Sequence, residues 1–286
     1  MNGILVVNKH VGPTSRDIVN IIMKKFNTRK VGHTGTLDPG ASGILVICIG
    51  KALKVVELLG EDDKEYIAGI TLGLEYDTID LYGKLVKEED INIPKEEIIN
   101  VVNSFKGCYQ QEVPLYSAVK VNGRKLYDYA RSGQKVKLPA KKVNIKEIEL
   151  IDDISYENGK IYFKIKCTVS KGTYIRSLVR DIGNKLGTIA VMNSLIRTRH
   201  GNFKIDNSYT IQEILDDKYK IIPITEGFKE IKKINVDDDM AFKIKNGVIL
   251  DKLFDDDMAF ITDNKDNLIA LYKREGDKCR VYKMFL

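Results

Sequence analysis

One carboxylate stands alone in the most glycine-rich stretch of this chain. Residues 30–50 read KVGHTGTLDPGASGILVICIG, with five glycines, one proline and Asp38 as the only acid. A carboxylate held on a tight loop can attack an electrophilic carbon or take up a proton. Glycines at 32, 35, 40 and 43 permit turns that side chains would forbid. The apolar run at 44–49 follows directly and predicts a buried strand that anchors the loop. Reactive groups are commonly presented on such anchored loops. The plain alternative is an Asp-Pro turn leading into a core strand.

The rest of the inventory narrows the chemistry. Three histidines (His10, His33, His200) are too few and too scattered for a histidine-based metal centre. Cys48, Cys108, Cys167 and Cys279 lie far apart with no C-x-x-C spacing, and read as reduced, mostly buried thiols. Asp77 and Asp80 read as a turn or a pair of exposed acids. No phosphate-loop or dinucleotide fingerprint occurs, so no cofactor or metal is expected. Net charge is +6, but residues 114–142 carry eight cations against one anion. A basic segment in a near-neutral background suggests a polyanion partner. Tyr116, Tyr127 and Tyr129 are interleaved with those cations, which suits looped or single-stranded RNA.

The elements that must position these residues alternate between strand and helix patterns. Residues 3–8 predict a strand, and Thr14 or Ser15 can cap a helix carrying Ile18, Val19, Ile22 and Phe26. A short helix is expected at 52–59, closed by Gly60, then a strand at 64–73 headed by Tyr66. Residues 94–105 are amphipathic. In the basic segment, Asn122-Gly123 signals a hairpin and 126–131 a short helix. Strands at 142–154 and 160–169 flank a turn at 156–159, and residues 170–173 open a helix carrying Arg176 and Arg180. A basic strand covers 195–203, and residues 227–233 are expected to be a linker. Beyond it the chain is strand-rich with zero net charge, consistent with a small β domain. The hexapeptide DDDMAF occurs at 237–242 and 255–260, the first copy helix-like and the second strand-like. The N-terminus has four consecutive apolar residues, unlike a signal peptide, and no run nears the ~20 residues of a membrane span. A cytoplasmic location is expected.

Taken together, these motifs resemble the TruB family of tRNA pseudouridine synthases. Residues 8–15 resemble its N-terminal motif, and GHTGTLDPGASG at 32–43 its active-site loop. Lys64-Glu65-Tyr66 is similar to its tyrosine strand, and KGTYIRSL at 171–178 to its arginine motif. Departures include His10 in place of a usual proline, Leu115 within a customary proline run, Ile196, and the GTIA stretch at 187–190.

The resemblance implies an α+β fold: a catalytic domain at 1–228, built on a mixed, mainly antiparallel sheet with flanking helices. An RNA-gripping thumb at 114–142 and a PUA-like RNA-binding domain at 229–286 complete it. It implies isomerisation of uridine 55 in the T loop of tRNA, with the base flipped out of its stack. Asp38 is then the essential catalytic carboxylate, through addition to sugar or base or through loss of the ribose 2′ proton. Arg176 pairs with it in two-point fashion and keeps it ionised. Tyr66 stacks on the uracil. His33 wedges into the RNA, and Lys9 and Tyr174 join the RNA contacts. Lys120, Arg124, Lys125, Arg131, Lys141 and Lys142 meet the backbone from the thumb. The expected partner is the tRNA T arm, met by a monomer without obligatory protein partners. Two other readings are an RNA-folding helper and a guide-RNA-dependent relative.

Overall fold

The structure is a computed structural model that describes all 286 residues. Its main sheet runs, in spatial order, Gly3–Lys9, Ala41–Ile49, Ala190–His200, Lys64–Leu72, Lys160–Val169, Ala140–Leu150 and Gly107–Glu112. Along this path every neighbour is antiparallel except Ala190–His200 against Ala41–Ile49. The sheet is therefore mixed and mainly antiparallel, as expected.

Ala41–Ile49 has no polar alternation because both of its faces are covered. Leu45, Ile47 and Ile49 pack with Ile18, Val19 and Ile22 of the helix Ser15–Lys25. Ile44, Val46 and Cys48 face the other way, into a core shared with Phe260, Leu271 and Phe285. Burying each large side chain stabilises the fold by ~1.5–3 kcal/mol. On the far half of the sheet, Ile70, Phe163, Ile165 and Cys167 form a separate core beneath the helices Lys95–Asn103 and Ile175–Lys185.

The C-terminal part builds its own five-stranded sheet from Lys232–Asn235, Met258–Thr262, Leu268–Glu275, Lys278–Met284 and Leu250–Asp251, with the helix Asp238–Lys245 beside it. The two DDDMAF copies take different conformations, as their contexts predict. In the first, Asp237 caps a helix by accepting from the Met240 N–H; in the second, Met258 opens a strand.

Several boundaries differ from expectation. Gly60 lies inside a helix, Val56–Glu61, that continues a 3₁₀ turn at Gly50–Val55. The strand expected at 142–154 stops at Leu150, and Ser155–Glu157 makes the return pairing around Asn158-Gly159, both left-handed. The arginine helix begins at Ile175, because 170–174 is a loop with Gly172 at φ +83°. Gly227, at the head of the expected linker, is buried against Ile4.

Candidate active site

Asp38 sits on the loop between Val31–His33 and Ala41–Ile49, and its side chain keeps 40% of its exposure. The backbone on both sides of it is pinned. One hydroxyl, Ser15 Oγ, donates to the Leu37 carbonyl (3.0 Å) and accepts from the Leu37 N–H (2.8 Å). Lys9 Nζ donates to the carbonyls of Ala41 (2.6 Å), His10 (3.1 Å) and Pro39 (3.3 Å). Lys9 is fully buried, so the expected RNA contact is corrected: its ammonium faces inward and holds the loop. Burial pushes its pKa down, and the nearby Asp38 charge opposes that shift.

Arg176 comes from the first turn of Ile175–Lys185 and is 6% exposed. Its Nη2 lies 3.0 Å from Asp38 Oδ2 and also donates to the Tyr116 carbonyl at 3.1 Å. Nη1 donates to the Thr78 carbonyl at 3.1 Å, and Nε stands 3.8 Å from Asp80 Oδ2. The expected two-point grip on Asp38 is thus replaced by a single contact. The fork instead joins three separate segments of chain, at Asp38, Thr78–Asp80 and Tyr116, to its own helix. Asp80 belongs to this group and is not an exposed turn acid. Its carboxylate accepts from Thr78 Oγ1 (2.7 Å) and the Tyr82 N–H (3.1 Å), which aims it at the guanidinium.

The parallel strand pair supplies the floor. Its register sets Arg197 opposite Gly43, and Tyr66 lies opposite Arg197 on the next strand. Gly43 has φ +98°, and a Cβ there would meet the Arg197 carbonyl oxygen at 2.2 Å, so only glycine fits. Arg197 is 1% exposed; its Nε donates to the Ile44 carbonyl (2.7 Å) and Nη2 to that of Gly35 (3.1 Å). Lys64 Nζ donates to the carbonyls of Asp62 (2.6 Å) and Gly60 (3.0 Å). Burial, then the Arg197 charge, lower the Lys64 pKa to about 8.

His200 completes the support. Nε2 lies 2.9 Å from the Leu59 carbonyl, which only accepts, so that nitrogen carries the proton. Nδ1 therefore accepts from Thr34 Oγ1 at 3.1 Å. Burial, with Lys64 and Arg197 nearby, lowers its pKa to about 3. Lys9, Ser15, Arg197 and His200 are thus interior posts for the loop. Their partners lie up to 166 residues away, and local sequence carries no sign of them.

Above this floor opens a cavity of about 630 Å³, in the size range of small-molecule sites. Asp38, Tyr66, Tyr174 and Arg176 line it from the body of the domain; Tyr116, Ser117, Tyr127 and Arg131 line it from the thumb. Tyr66 is 7% exposed. The Tyr174 phenol is raised above the usual range, chiefly by burial. His33 lies outside the cavity lining; its Nδ1 is buried without a protein partner, and burial lowers its pKa.

The thumb cations divide into two sets. Arg124 donates to Gln134 Oε1 (2.6 Å), the Asp128 carbonyl (2.7 Å) and Ser132 Oγ (2.9 Å), and its guanidinium stands 4.8 Å from the centre of the Tyr129 ring. It ties the hairpin to the helix Leu126–Arg131 and stays partly exposed. Lys125 and Arg131 flank the Tyr127 ring at 5.4 and 5.1 Å. Lys120, Lys141 and Lys142 are exposed.

No helix is long and apolar enough to cross a membrane. Residues 23–175 match the profile of the TruB family pseudouridylate synthase N-terminal domain, and 176–223 that of the tRNA pseudouridylate synthase B C-terminal domain. The tRNA pseudouridine synthase B of Clostridium tetani is 41% identical over 296 residues, covering all of both chains. That of Bacillus subtilis is 43% identical over 259 residues, covering 88% of this chain and 84% of the other. Among solved structures, a chain of an H/ACA ribonucleoprotein bound to a substrate RNA containing 2′-deoxyuridine superposes with a TM-score of 0.71 at 26% identity. That match covers 99% of this chain and 85% of the other. By its motifs, its fold and these full-length matches, the chain belongs to the TruB family of pseudouridylate synthases.

Proposed function

We propose that this protein isomerises uridine 55 in the T loop of tRNA to pseudouridine, acting without a guide RNA. The observation that carries the reading is the Asp38 carboxylate. It opens into a nucleotide-sized cavity, paired to a buried arginine, beside the Tyr66 ring. The relatives named tRNA pseudouridine synthase B support tRNA as the substrate.

In the reaction the bond from ribose C1′ to uracil N1 breaks and a bond from C1′ to C5 forms. The C5 proton is lost and N1 gains one, so the product is an isomer. Reaching C1′ and C5 requires the nucleotide to leave its stack, at a cost of a few kcal/mol. Cations on the thumb can offset this through phosphate contacts. Tyr66 offers a face for the extruded base. Asp38 supplies the anion, either as nucleophile or as acceptor of the ribose 2′ proton. Arg176 holds that anion at one position while the other carboxylate beside it, Asp80, balances the guanidinium charge.

Tritium release from C5-labelled uridine in an unmodified tRNA transcript tests this directly. Purified protein alone is expected to turn over, and Asp38→Asn to release none. Release by Asp38→Asn at the wild-type rate would refute the catalytic assignment. A requirement for added guide RNA would refute the stand-alone reading.

A further inference from the structure

The turn that carries Asp38 is held differently on its two sides. On the buried side Lys9 and Ser15 bind its backbone, and the Ala41 N–H closes the turn on the Asp38 carbonyl at 3.0 Å. On the solvent side stands one aromatic ring. A Cβ added at Gly40 would come within 2.1 Å of Tyr82 Cε2, 2.6 Å of Cδ2 and 2.9 Å of Cζ, so the ring rests on bare Gly40 backbone. Gly40 does not adopt a positive φ, so its conformation alone does not call for glycine. The missing side chain makes room for Tyr82.

A closed loop delivers that ring. At its neck the Asp77 N–H donates to the Lys84 carbonyl (3.1 Å) and the Lys84 N–H to Asp77 Oδ1 (2.8 Å). The Met192 N–H, on the main sheet, donates to the Ile79 carbonyl at 3.0 Å. The Tyr82 N–H itself donates to Asp80 Oδ1. One residue therefore supports both acids that face Arg176: its amide aims Asp80, and its ring covers the turn of Asp38. The side chain is 64% exposed, too open to serve as core. We propose that Tyr82 is a positioning residue that clamps the Asp38 turn to the Asp80 loop and so fixes the carboxylate relative to Arg176. Slight misplacement of a reacting group lowers rate steeply, so a contact away from the substrate can govern turnover. The effect on rate rests on reading the site as a pseudouridine synthase; the clamp belongs to the free protein.

The test compares wild type, Tyr82→Phe, Tyr82→Ala, Gly40→Ala and the double variant Gly40→Ala/Tyr82→Ala. Each is assayed, where circular dichroism shows it folded, by single-turnover tritium release on tRNA, filter binding of tRNA, and amide exchange of the free protein at 37–43. Ring carbons make the contact, so Tyr82→Phe should match wild type. Tyr82→Ala is expected to slow release about fivefold with tRNA affinity within about twofold, because phosphate contacts dominate binding. Gly40→Ala should displace the exposed ring and slow release by a similar factor. Both changes remove one and the same contact, so the double variant should stay within about twofold of Tyr82→Ala, against the ~25-fold of independent effects. Exchange at 37–43 should quicken in all three alanine variants and not in Tyr82→Phe. Release by Tyr82→Ala at the wild-type rate overturns the proposal, as does multiplication of the two effects. A loss of tRNA affinity equal to the loss of rate also overturns it, and marks a direct RNA contact. A wild type that releases no tritium overturns the reading of the site instead; exchange then still decides the clamp, which falls if the alanine variants exchange as wild type does.

Discussion

His200 should make the support of the Asp38 loop sensitive to acid. In the folded protein its Nδ1 accepts from Thr34, and its pKa lies at about 3; in the unfolded chain it returns to the ordinary value near 6.5. Between those values the unfolded state binds a proton that the folded state does not. Stability therefore falls as pH falls through this window, by ~1.4 kcal/mol per unit. From pH 6.5 to 4.5 the loss amounts to roughly 2.5 kcal/mol, a sizeable part of the ~5–15 kcal/mol that holds a typical domain. His200→Gln is the control, because an amide can donate to Leu59 and accept from Thr34 without titrating. Urea unfolding followed by circular dichroism suits a chain with no tryptophan. Carboxylates and His33 contribute to the acid slope of both proteins, so the difference between them isolates His200. The variant is expected to match wild type within ~1 kcal/mol at pH 7.5 and to lose less stability at pH 4.5. Parallel pH profiles for the two proteins would refute the argument.

Arg176→Lys should lower single-turnover tritium release roughly 10- to 100-fold while tRNA binding changes little, because one ammonium cannot reach Asp38, Thr78 and Tyr116 together; equal losses in both would indicate a phosphate contact. Lys9→Met should remove three hydrogen bonds, with the Pro39 carbonyl keeping a second donor in the Gly12 N–H, and destabilise by ~2–4 kcal/mol, read from the urea midpoint, with an unchanged salt dependence of RNA binding. Replacing Lys141 and Lys142 together by Ala should reduce the log–log salt slope of tRNA binding by roughly 1.5, about 0.7–0.9 for each phosphate that is no longer neutralised. Arg124→Ala should instead loosen the thumb, seen as faster amide exchange at 126–134, with a smaller change in that slope.

What the sequence made legible was local and periodic. The unbroken apolar run at 44–49 marked the strand with two covered faces, and Asn122-Gly123 marked its hairpin through left-handed conformations at both residues. The repeated hexapeptide was separable into helix and strand because its flanks differ: Lys-Ile-Lys-Asn-Gly after one copy, Ile-Thr after the other. Counting charge did not reveal direction. Lys9 and Arg124 add to the positive total, yet both point donors at acceptors of the protein itself. Asp80 looked like a solvated turn acid because its partner is 96 residues away and reaches it only after the sheet has formed. The loop-holding roles of Ser15 and His200 escaped notice for the same reason.

The core shared by Ile4, Val46, Phe260, Leu271 and Phe285 has a mechanical consequence. Apolar side chains from both sheets interlock there, so the C-terminal part is welded to the back of the strand Ala41–Ile49 and is not strung from a tether. The spacing between whatever RNA it touches and Asp38 is then a fixed length, like the jaws of a caliper. An RNA substrate must match that length by its own shape, and selection among folded RNAs can precede any contact with a base.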